Sequence, residues 1–183
     1  VKFISHLDLM KTIEKALRRA QIPIAFSQGF NPHPKISLAS ALAVGVTSEA
    51  EYLEMELAQD LPAHEVMDRL NKALPPGLEV KAVVSTDEKE KPLMATVNAA
   101  EYELRMRVAD ADCDRLTSSL TSFLALKSIP YTKDSKSGKE VTVDLRPGIW
   151  RMEISRCDQG EVIVEMMVET GSRLNVKPHE LMA

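Results

Sequence analysis

The sequence predicts an α+β fold, and two observations support this prediction. Segments with apolar residues at helical spacing alternate with short segments in which apolar and polar residues alternate one by one. Each half of the chain shows the order strand, helix, strand, strand, helix, strand, if a strand precedes Val1 and the last helix of the second half is degraded or truncated. This is the split βαβ pattern of ferredoxin-like domains with antiparallel sheets. We therefore predict two ferredoxin-like halves, residues 1–86 and 93–183, joined by a charged connector at 87–92, and a native N-terminal strand that is missing before Val1.

The first half is expected to begin with an amphipathic helix. Ser5 suits the N-cap, Asp8 suits the positive end of the helix dipole, and Pro23 ends the helix near Gln21. The apolar face of this helix is predicted to consist of Leu7, Met10, Ile13, Leu17 and Ala20. The other predicted elements of this half are strands at Ile24–Phe26, Lys35–Leu42, Tyr52–Leu57 and Leu78–Val84, and a helix at Pro62–Leu74.

The second half is expected to continue the alternation of strands and helices. Strands are predicted at Ala100–Val108, Ile129–Thr132, Val141–Leu145, Ile149–Ser155 and Val162–Val168, and helices at Asp110–Leu126 and from Pro178 onward. Asp144 and Arg146 fall on the same side of one strand, and we interpret them as a surface ion pair. Trp150, the only tryptophan, is assigned to the core.

Composition narrows the class of protein. Hydrophobic residues make up 44% of the chain, which suits a globular protein with a core. The chain has no apolar run of the roughly 18 residues that a membrane span needs, and no signal peptide pattern, so we expect no membrane partner. We interpret Cys113 and Cys157 as isolated thiols, which favours a cytoplasmic location, while a disulfide between them remains an alternative. Glycine-rich phosphate loops and metal-ligand spacings do not occur, so we expect no cofactor and no metal.

The distribution of charge points to an anionic partner. Residues 1–46 carry six Lys or Arg against two Asp or Glu, a local charge of +4, whereas residues 47–92 carry a local charge of −6. Residues 93–183 carry a local charge of −2. A basic first quarter on an acidic body predicts an anionic partner better than the total charge of −4 does. The alternative is that the basic and acidic regions face each other.

Basic residues of the first helix and residues of the following loop are the candidates for nucleic-acid binding. The complete candidate set is Lys11, Lys15, Arg18, Arg19, Phe30, His33 and Lys35. Lys and Arg along one helical stripe can follow a phosphate backbone, and an aromatic ring can stack on a base. A solvated helix face, supported by Glu14 and Arg18 at i,i+4, is the alternative for the stripe. A hydrophobic plug beneath the loop is the alternative for Phe30.

A second candidate cluster combines the start of the first helix with the loop. His6 and Asp8 lie in the first turn, and Asn31 and His33 lie in the loop between Gly29 and Pro34. If the loop folds over the helix start, His6, Asp8, His33 and Lys35 would meet and could hold a phosphate, perform acid–base chemistry or bind a divalent metal. The alternative is structural, with each histidine capping a helix or bonding to loop backbone.

Three motifs carry a resemblance to a known family. They are the segment HLDLMKTIEKALRRAQIPIAFSQGFNPHPKISLASALAVGVTSEAEYLEMEL, the segment VDLRPGI and the final segment GSRLNVKPHELM. Together they resemble the bacterial radical-SAM-linked protein family, a domain of unknown function that is fused to, or encoded beside, radical SAM enzymes. The resemblance implies an accessory role to a radical SAM enzyme that acts on an RNA or ribosomal substrate. It supplies no catalytic residues.

Three functions follow as hypotheses. The first is a non-catalytic accessory module of a radical SAM enzyme that binds tRNA or rRNA through the basic helix and the GFNPHPK loop. The chain is not the radical SAM enzyme itself, because two distant cysteines cannot hold an iron–sulfur cluster. The second is a metal-independent RNA-cleaving enzyme that uses His6 or His33. The third is a protein-binding adaptor whose contact surface is the acidic strand with Tyr52.

Overall fold

The computed structural model describes residues 2–86, 91–109, 111–134, 138–158, 160–171 and 173–182. The chain divides into two compact units, Val1–Thr96 and Val97–Ala183. Each unit has its own hydrophobic core cluster. Most of the predicted connector, residues 87–90, lies outside the described residues, and the division between the units falls after Thr96.

The first unit contains helix α1 (His6–Arg19), strands β1 (Ile36–Leu38) and β2 (Leu53–Met55), helix α2 (Ala63–Ala73) and the short helix α3 (Leu93–Thr96). The predicted N-cap of α1 is confirmed, because the Ser5 side chain accepts a hydrogen bond from the Asp8 backbone N–H at 3.2 Å. The predicted second helix is confirmed as α2.

The apolar face of α1 was partly mispredicted. Ala16 and Leu17 pack in the core cluster with Val66 and Leu70 of α2. Leu7, however, is 68% exposed, and Leu9 is buried in its place. The tertiary contacts thus rotate the start of the buried stripe away from the position that the sequence pattern favours.

Strands β1 and β2 form an antiparallel pair in which Ile36 lies opposite Met55. Both are shorter than predicted, and the predicted strand Ile24–Phe26 is reduced to two isolated bridges. The prediction of a strand at Leu78–Val84 is wrong. Val80 both donates to and accepts from the Asn71 side chain, at 2.8 and 3.0 Å, so its backbone hydrogen bonds go to α2 instead of a sheet.

The second unit contains strand β3 (Ala99–Arg107), helix α4 (Cys113–Leu124), strands β4 (Pro130–Asp134) and β5 (Glu140–Asp144), a 3₁₀ turn (Arg146–Gly148), strands β6 (Ile149–Asp158) and β7 (Glu161–Glu169), and helix α5 (Pro178–Leu181). Its main sheet is antiparallel in the order β3–β7–β6, and β4 and β5 form a separate antiparallel pair. The α+β class with antiparallel sheets is therefore confirmed. The described residues form no four-stranded sheet in either unit, and ferredoxin-like halves are not confirmed.

Three interpretations of residues in the second unit require correction. Cys113 and Cys157 are not isolated thiols but a disulfide with a Cα–Cα distance of 5.9 Å, because the fold brings the start of α4 beside the end of β6. Cysteine usage therefore no longer favours a cytoplasmic location. Trp150 is 48% exposed and is not a core residue. Asp144 forms no salt bridge to Arg146 but accepts the backbone N–H groups of Ile129 and Arg146, at 2.7 and 3.0 Å.

Among the described residues, none of the helices has the length and apolar character that crossing a membrane requires.

Candidate nucleic-acid interface

The outward face of α1 carries three cations that have no partner in the described part of the chain. Lys11, Lys15 and Arg18 are exposed, and none of them forms a salt bridge with another described residue. Their spacing of four and three residues places them on one side of the helix, opposite buried Ala16 and Leu17. Glu14, which could pair with Arg18 one turn away, forms no salt bridge with it. The Coulomb field of these cations is therefore not neutralised by direct pairing in the unit.

Arg19, the fourth predicted cation of this helix, has a different environment. Its guanidinium donates a hydrogen bond to the Ala73 carbonyl at 2.7 Å, at the end of α2. This bond joins the C-terminal ends of the two helices, and it satisfies a carbonyl that the helix itself leaves without a partner. Arg19 thus has a structural role, and its remaining N–H donors stay available to a ligand.

The GFNPHPK loop is held at its base by hydrogen bonds. The Ser27 N–H donates to the His33 carbonyl at 2.8 Å, and the His33 N–H donates to Ser27 Oγ at 3.0 Å. Next to this closure, Phe26 and Pro34 form an isolated antiparallel bridge. Gly29 has a φ of 142°, which side chains rarely adopt, so glycine suits the turn into the loop tip. The loop is therefore a closed hairpin that presents its tip to solvent.

Phe30 lies at the tip of this hairpin with its side chain fully exposed, at 106% of the reference area. It therefore does not act as a plug beneath the loop. Asn31 and His33 are also exposed, and their side chains form no hydrogen bond with another described residue. An aromatic ring without packing partners suits contact with a partner molecule, for which base stacking is one chemistry.

Lys35 is the one predicted interface residue whose charge is directly paired with a carboxylate. Its Nζ contacts both carboxylate oxygens of Glu56, at 2.9 and 2.8 Å. The neighbouring Ser37 hydroxyl donates to Glu54 at 2.7 Å. Glu54 and Glu56, in and just after β2, are thus both bonded to residues in and just before β1. Lys35 consequently has less free charge to offer to RNA than the cations on α1 have.

Among the described residues, the helix start and the loop share no hydrogen bond or ion pair. The Ser5 hydroxyl donates to the Asp8 carboxylate at 2.7 Å, and no hydrogen bond or salt bridge links His6 or Asp8 to His33 or Lys35. His6 Nδ1 is buried without a hydrogen-bond partner. Within the described part of the chain, no group of three His, Cys, Asp or Glu residues could hold a metal ion. A metal site that combines the helix start with the loop is therefore not formed among the described residues, whereas an acid–base role of His6 or His33 stays a prediction.

Two cations on α2 were missed by the sequence analysis. Arg69 and Lys72 line an open cleft of about 430 Å³ together with Arg19, at the C-terminal ends of α1 and α2. Arg69 also donates to the Gln21 carbonyl at 3.4 Å and forms a salt bridge with Glu65. Their spacing of three residues on one helix is a signal of a shared face, but only the tertiary packing of α2 against α1 brings them beside Arg19.

Comparison with known proteins identifies a family. The model of a family described as "Uncharacterized protein conserved in bacteria" matches residues 1–178 of the chain. No curated protein matches the chain. No solved structure matches it either.

Proposed function

We propose that this chain, which belongs to the bacterial protein family DUF2344, is a non-catalytic module that binds RNA through α1 and the GFNPHPK loop. The observation that carries the proposal is the outward face of α1, on which Lys11, Lys15 and Arg18 are exposed and have no salt-bridge partner among the described residues. The phosphates of an RNA backbone would pair with these cations, and binding would release the counterions condensed on the RNA.

The arrangement of the cations favours a linear polyanion over a small anion. Lys11 and Arg18 are separated by about 10 Å along the helix axis at the standard rise per residue. A single small anion cannot contact both ends of such a stripe closely, whereas successive phosphates of one strand can. The stripe alone is sequence-tolerant, since phosphate contacts position a nucleic acid without reading its bases.

Exposed Phe30 extends the proposal from phosphate binding to contact with unpaired bases. The hairpin closure at Ser27 and His33 fixes the base of the loop, so ordering this part of the loop adds little entropic cost on binding. Bases in RNA loops, bulges and ends are free to stack on aromatic rings, whereas bases within a helix are not. We therefore expect tRNA or rRNA segments with unpaired bases to be the preferred ligands.

The partner of this module is proposed from the resemblance stated above. A radical SAM enzyme would perform the reaction in the cytoplasm, and the present chain would hold the RNA substrate for it. A purely protein-binding role predicts that such a partner stays bound after ribonuclease treatment.

The finer fold, two ferredoxin-like halves, also stays a proposal, supported by the helix α4 between β3 and β4 and by the antiparallel β3–β7–β6 sheet.

The test is salt-titrated binding of total cellular RNA to the chain and to two double variants. Lys11→Glu/Arg18→Glu removes two of the unpaired cations, and Arg107→Glu/Arg115→Glu makes the same change in net charge at exposed, unpaired positions of the second unit. For the first variant we expect a loss of affinity on the order of tenfold or more at low salt, and a salt slope shallower by about 1.4, or about 0.7 for each lost phosphate contact. We expect the control to stay within about twofold of the unmodified chain.

Equal affinities for the unmodified chain and the Lys11→Glu/Arg18→Glu variant would refute the interface. Shortening of the RNA in the absence of metal, abolished by His33→Ala or by His6→Ala, would instead establish the catalytic alternative.

A further inference from the structure

We infer that the cleft between the ends of α1 and α2 binds one phosphate group of the RNA strand that lies along α1. This inference rests on the proposed function and adds a site to it. The cleft is lined by Arg19, Ala20, Gln21, Arg69, Lys72 and Ala73. All of the charged side chains in this lining are cations, so the cleft selects for an anion.

Two of the cations are held in place by the protein. Arg19 donates to the Ala73 carbonyl at 2.7 Å, and Arg69 donates to the Gln21 carbonyl at 3.4 Å. A guanidinium group has five N–H donors, so these bonds leave others for a ligand. Because the side chains are already ordered, a phosphate would bind without the full entropic cost of fixing two flexible arginines.

Lys72 is the cation of the cleft that the fold does not use. It is exposed and forms neither a hydrogen bond nor a salt bridge with another described residue. Asp68, one helical turn earlier, is also exposed and does not pair with it. Glu65 is the acidic group bound to the cleft, through Arg69, and it offsets one of the three positive charges. The C-terminal ends of α1 and α2 each contribute about half a negative charge, so about one net positive charge remains.

The helix dipole alone could explain why each cation, considered by itself, lies where it does. Lys72 and Arg19 lie in the last turns of their helices, where cations are favourable. This effect does not require the two helix ends to converge on one cleft with three cations around it. The convergence points to a ligand with several negatively charged oxygens, such as a phosphate or phosphodiester group.

The cleft adjoins the C-terminal end of the exposed face of α1. Arg18 belongs to the unpaired face, and Arg19 is the next residue, turned by about 100° around the helix toward α2. A strand that follows Lys11, Lys15 and Arg18 would thus reach the cleft at the C-terminal end of α1. Phosphodiester groups of RNA and free phosphate share the chemistry required, and the experiment below distinguishes them.

The experiment titrates the isotopically labelled chain with a short oligouridylate and, separately, with inorganic phosphate at low salt. The readout is the amide resonances of Ala20, Gln21, Lys72 and Ala73, together with the affinity for the oligouridylate. Lys72→Ala is compared with Lys81→Ala, which removes a lysine outside the cleft that is also exposed and has no partner among the described residues. Neither variant removes a described hydrogen bond, so both should fold.

For the unmodified chain we expect the oligouridylate to shift the four cleft amides. For Lys72→Ala we expect the affinity to fall by about threefold to tenfold and the salt slope to become shallower by about 0.7, as for one lost phosphate contact. The Lys81→Ala variant should behave like the unmodified chain.

Two other results would overturn the inference in distinguishable ways. If the oligouridylate binds and Lys11→Glu/Arg18→Glu weakens it, while Lys72→Ala matches Lys81→Ala, the cleft is not part of the interface and the proposed function stands. If the oligouridylate does not bind, both the RNA function and the phosphodiester site fail, and cleft shifts with inorganic phosphate alone would then identify a free-phosphate site.

Discussion

The motifs that carry the family resemblance occur in both units, and the structure uses them differently. In the second unit, the VDLRPGI and GSRLNVKPHELM segments pack against each other. Leu145 and Val176 are fully buried, and Gly148 lies so close to Leu174 and Val176 that a Cβ atom there would be 2.7 and 2.6 Å from their side chains. In the first unit, the GFNPHPK loop presents Phe30 to solvent.

Polar residues of the second unit's motifs are also used in folding. Asp144 accepts two backbone N–H groups, and these hydrogen bonds, to Ile129 first and Arg146 second, hold the pKa of its carboxyl below the ordinary value of 3.8. Arg146 donates to the carbonyls of Leu124 and Ile149, at 3.0 and 3.2 Å. Folding therefore accounts for these residues, whereas among the described residues it gives Phe30, Lys11, Lys15 and Arg18 no hydrogen-bond or salt-bridge partner for their side chains.

The same contrast holds between the exposed face of α1 and the charged side of the β3–β7–β6 sheet. On the sheet, Arg151 pairs with Glu101 at 3.2 Å and Arg156 pairs with Asp158 at 2.9 Å, while Arg107 at the end of β3 has no salt-bridge partner among the described residues. On α1, Lys11, Lys15 and Arg18 have no such partners among the described residues. The number of charges is therefore less informative than their pairing: cations paired with carboxylates are neutralised locally, whereas unpaired cations can bind an anionic ligand.

The largest expected effect on stability concerns the disulfide, which is present in the second unit alone. Replacing both cysteines, Cys113→Ser/Cys157→Ser, removes a link between residues 44 positions apart. We expect the free energy of unfolding of the second unit to fall by about 2–4 kcal/mol, as for a loop of that length. Residue-resolved hydrogen exchange measures the two units separately. If hydrogen-exchange protection fell equally in α1, the cores of the two units would not be independent.

A smaller loss is expected where the two motifs of the second unit meet. Gly148→Ala places a methyl group against Val176 and Leu174, and fully buried Val176 has little freedom to move away. We expect destabilisation of about 1–3 kcal/mol, typical of overpacking. Chemical denaturation monitored in the second unit checks this, and an unchanged midpoint would show that the packing can relax.

The smallest effect concerns pH. The lowered pKa of Asp144 means that the unfolded chain binds more protons than the folded chain once the pH falls below about 3.8. Its contribution to stability is therefore complete above that pH and is lost as the pH falls through the lower folded value. Asp144→Asn should flatten the acid side of the stability curve of the second unit. An acid-unfolding curve of the same shape for the variant would contradict this role.

Much of the fold could be predicted from local patterns. The Ser5 cap and the apolar period of α1, and the alternation in β3 and β7, gave the right elements because the signals are local. The strand at Leu78–Val84 could not be excluded, because the diversion of Val80 to Asn71 depends on the packing of α2. The same holds for the disulfide, which depends on where α4 meets β6.

The candidate site was predictable to a similar extent. The exposure of Lys11, Lys15 and Arg18 follows from helical spacing once the buried face is known. The pairing of Lys35 with Glu56 requires the register of β1 and β2, and the contribution of Lys72 requires the approach of α2 to α1. Short-range patterns thus identify the helix face, and long-range contacts decide which charges stay free.

The most direct measurement of the central contrast is RNA affinity and unfolding free energy, both determined for Phe30→Ala and Gly148→Ala. We expect Phe30→Ala to weaken RNA binding by about fivefold or more, since stacking of one base is worth about 1–3 kcal/mol, and to leave stability unchanged. Gly148→Ala should lower stability and leave the affinity of the folded protein unchanged. The account would be contradicted if Phe30→Ala left the RNA affinity intact, or destabilised the protein as much as Gly148→Ala does.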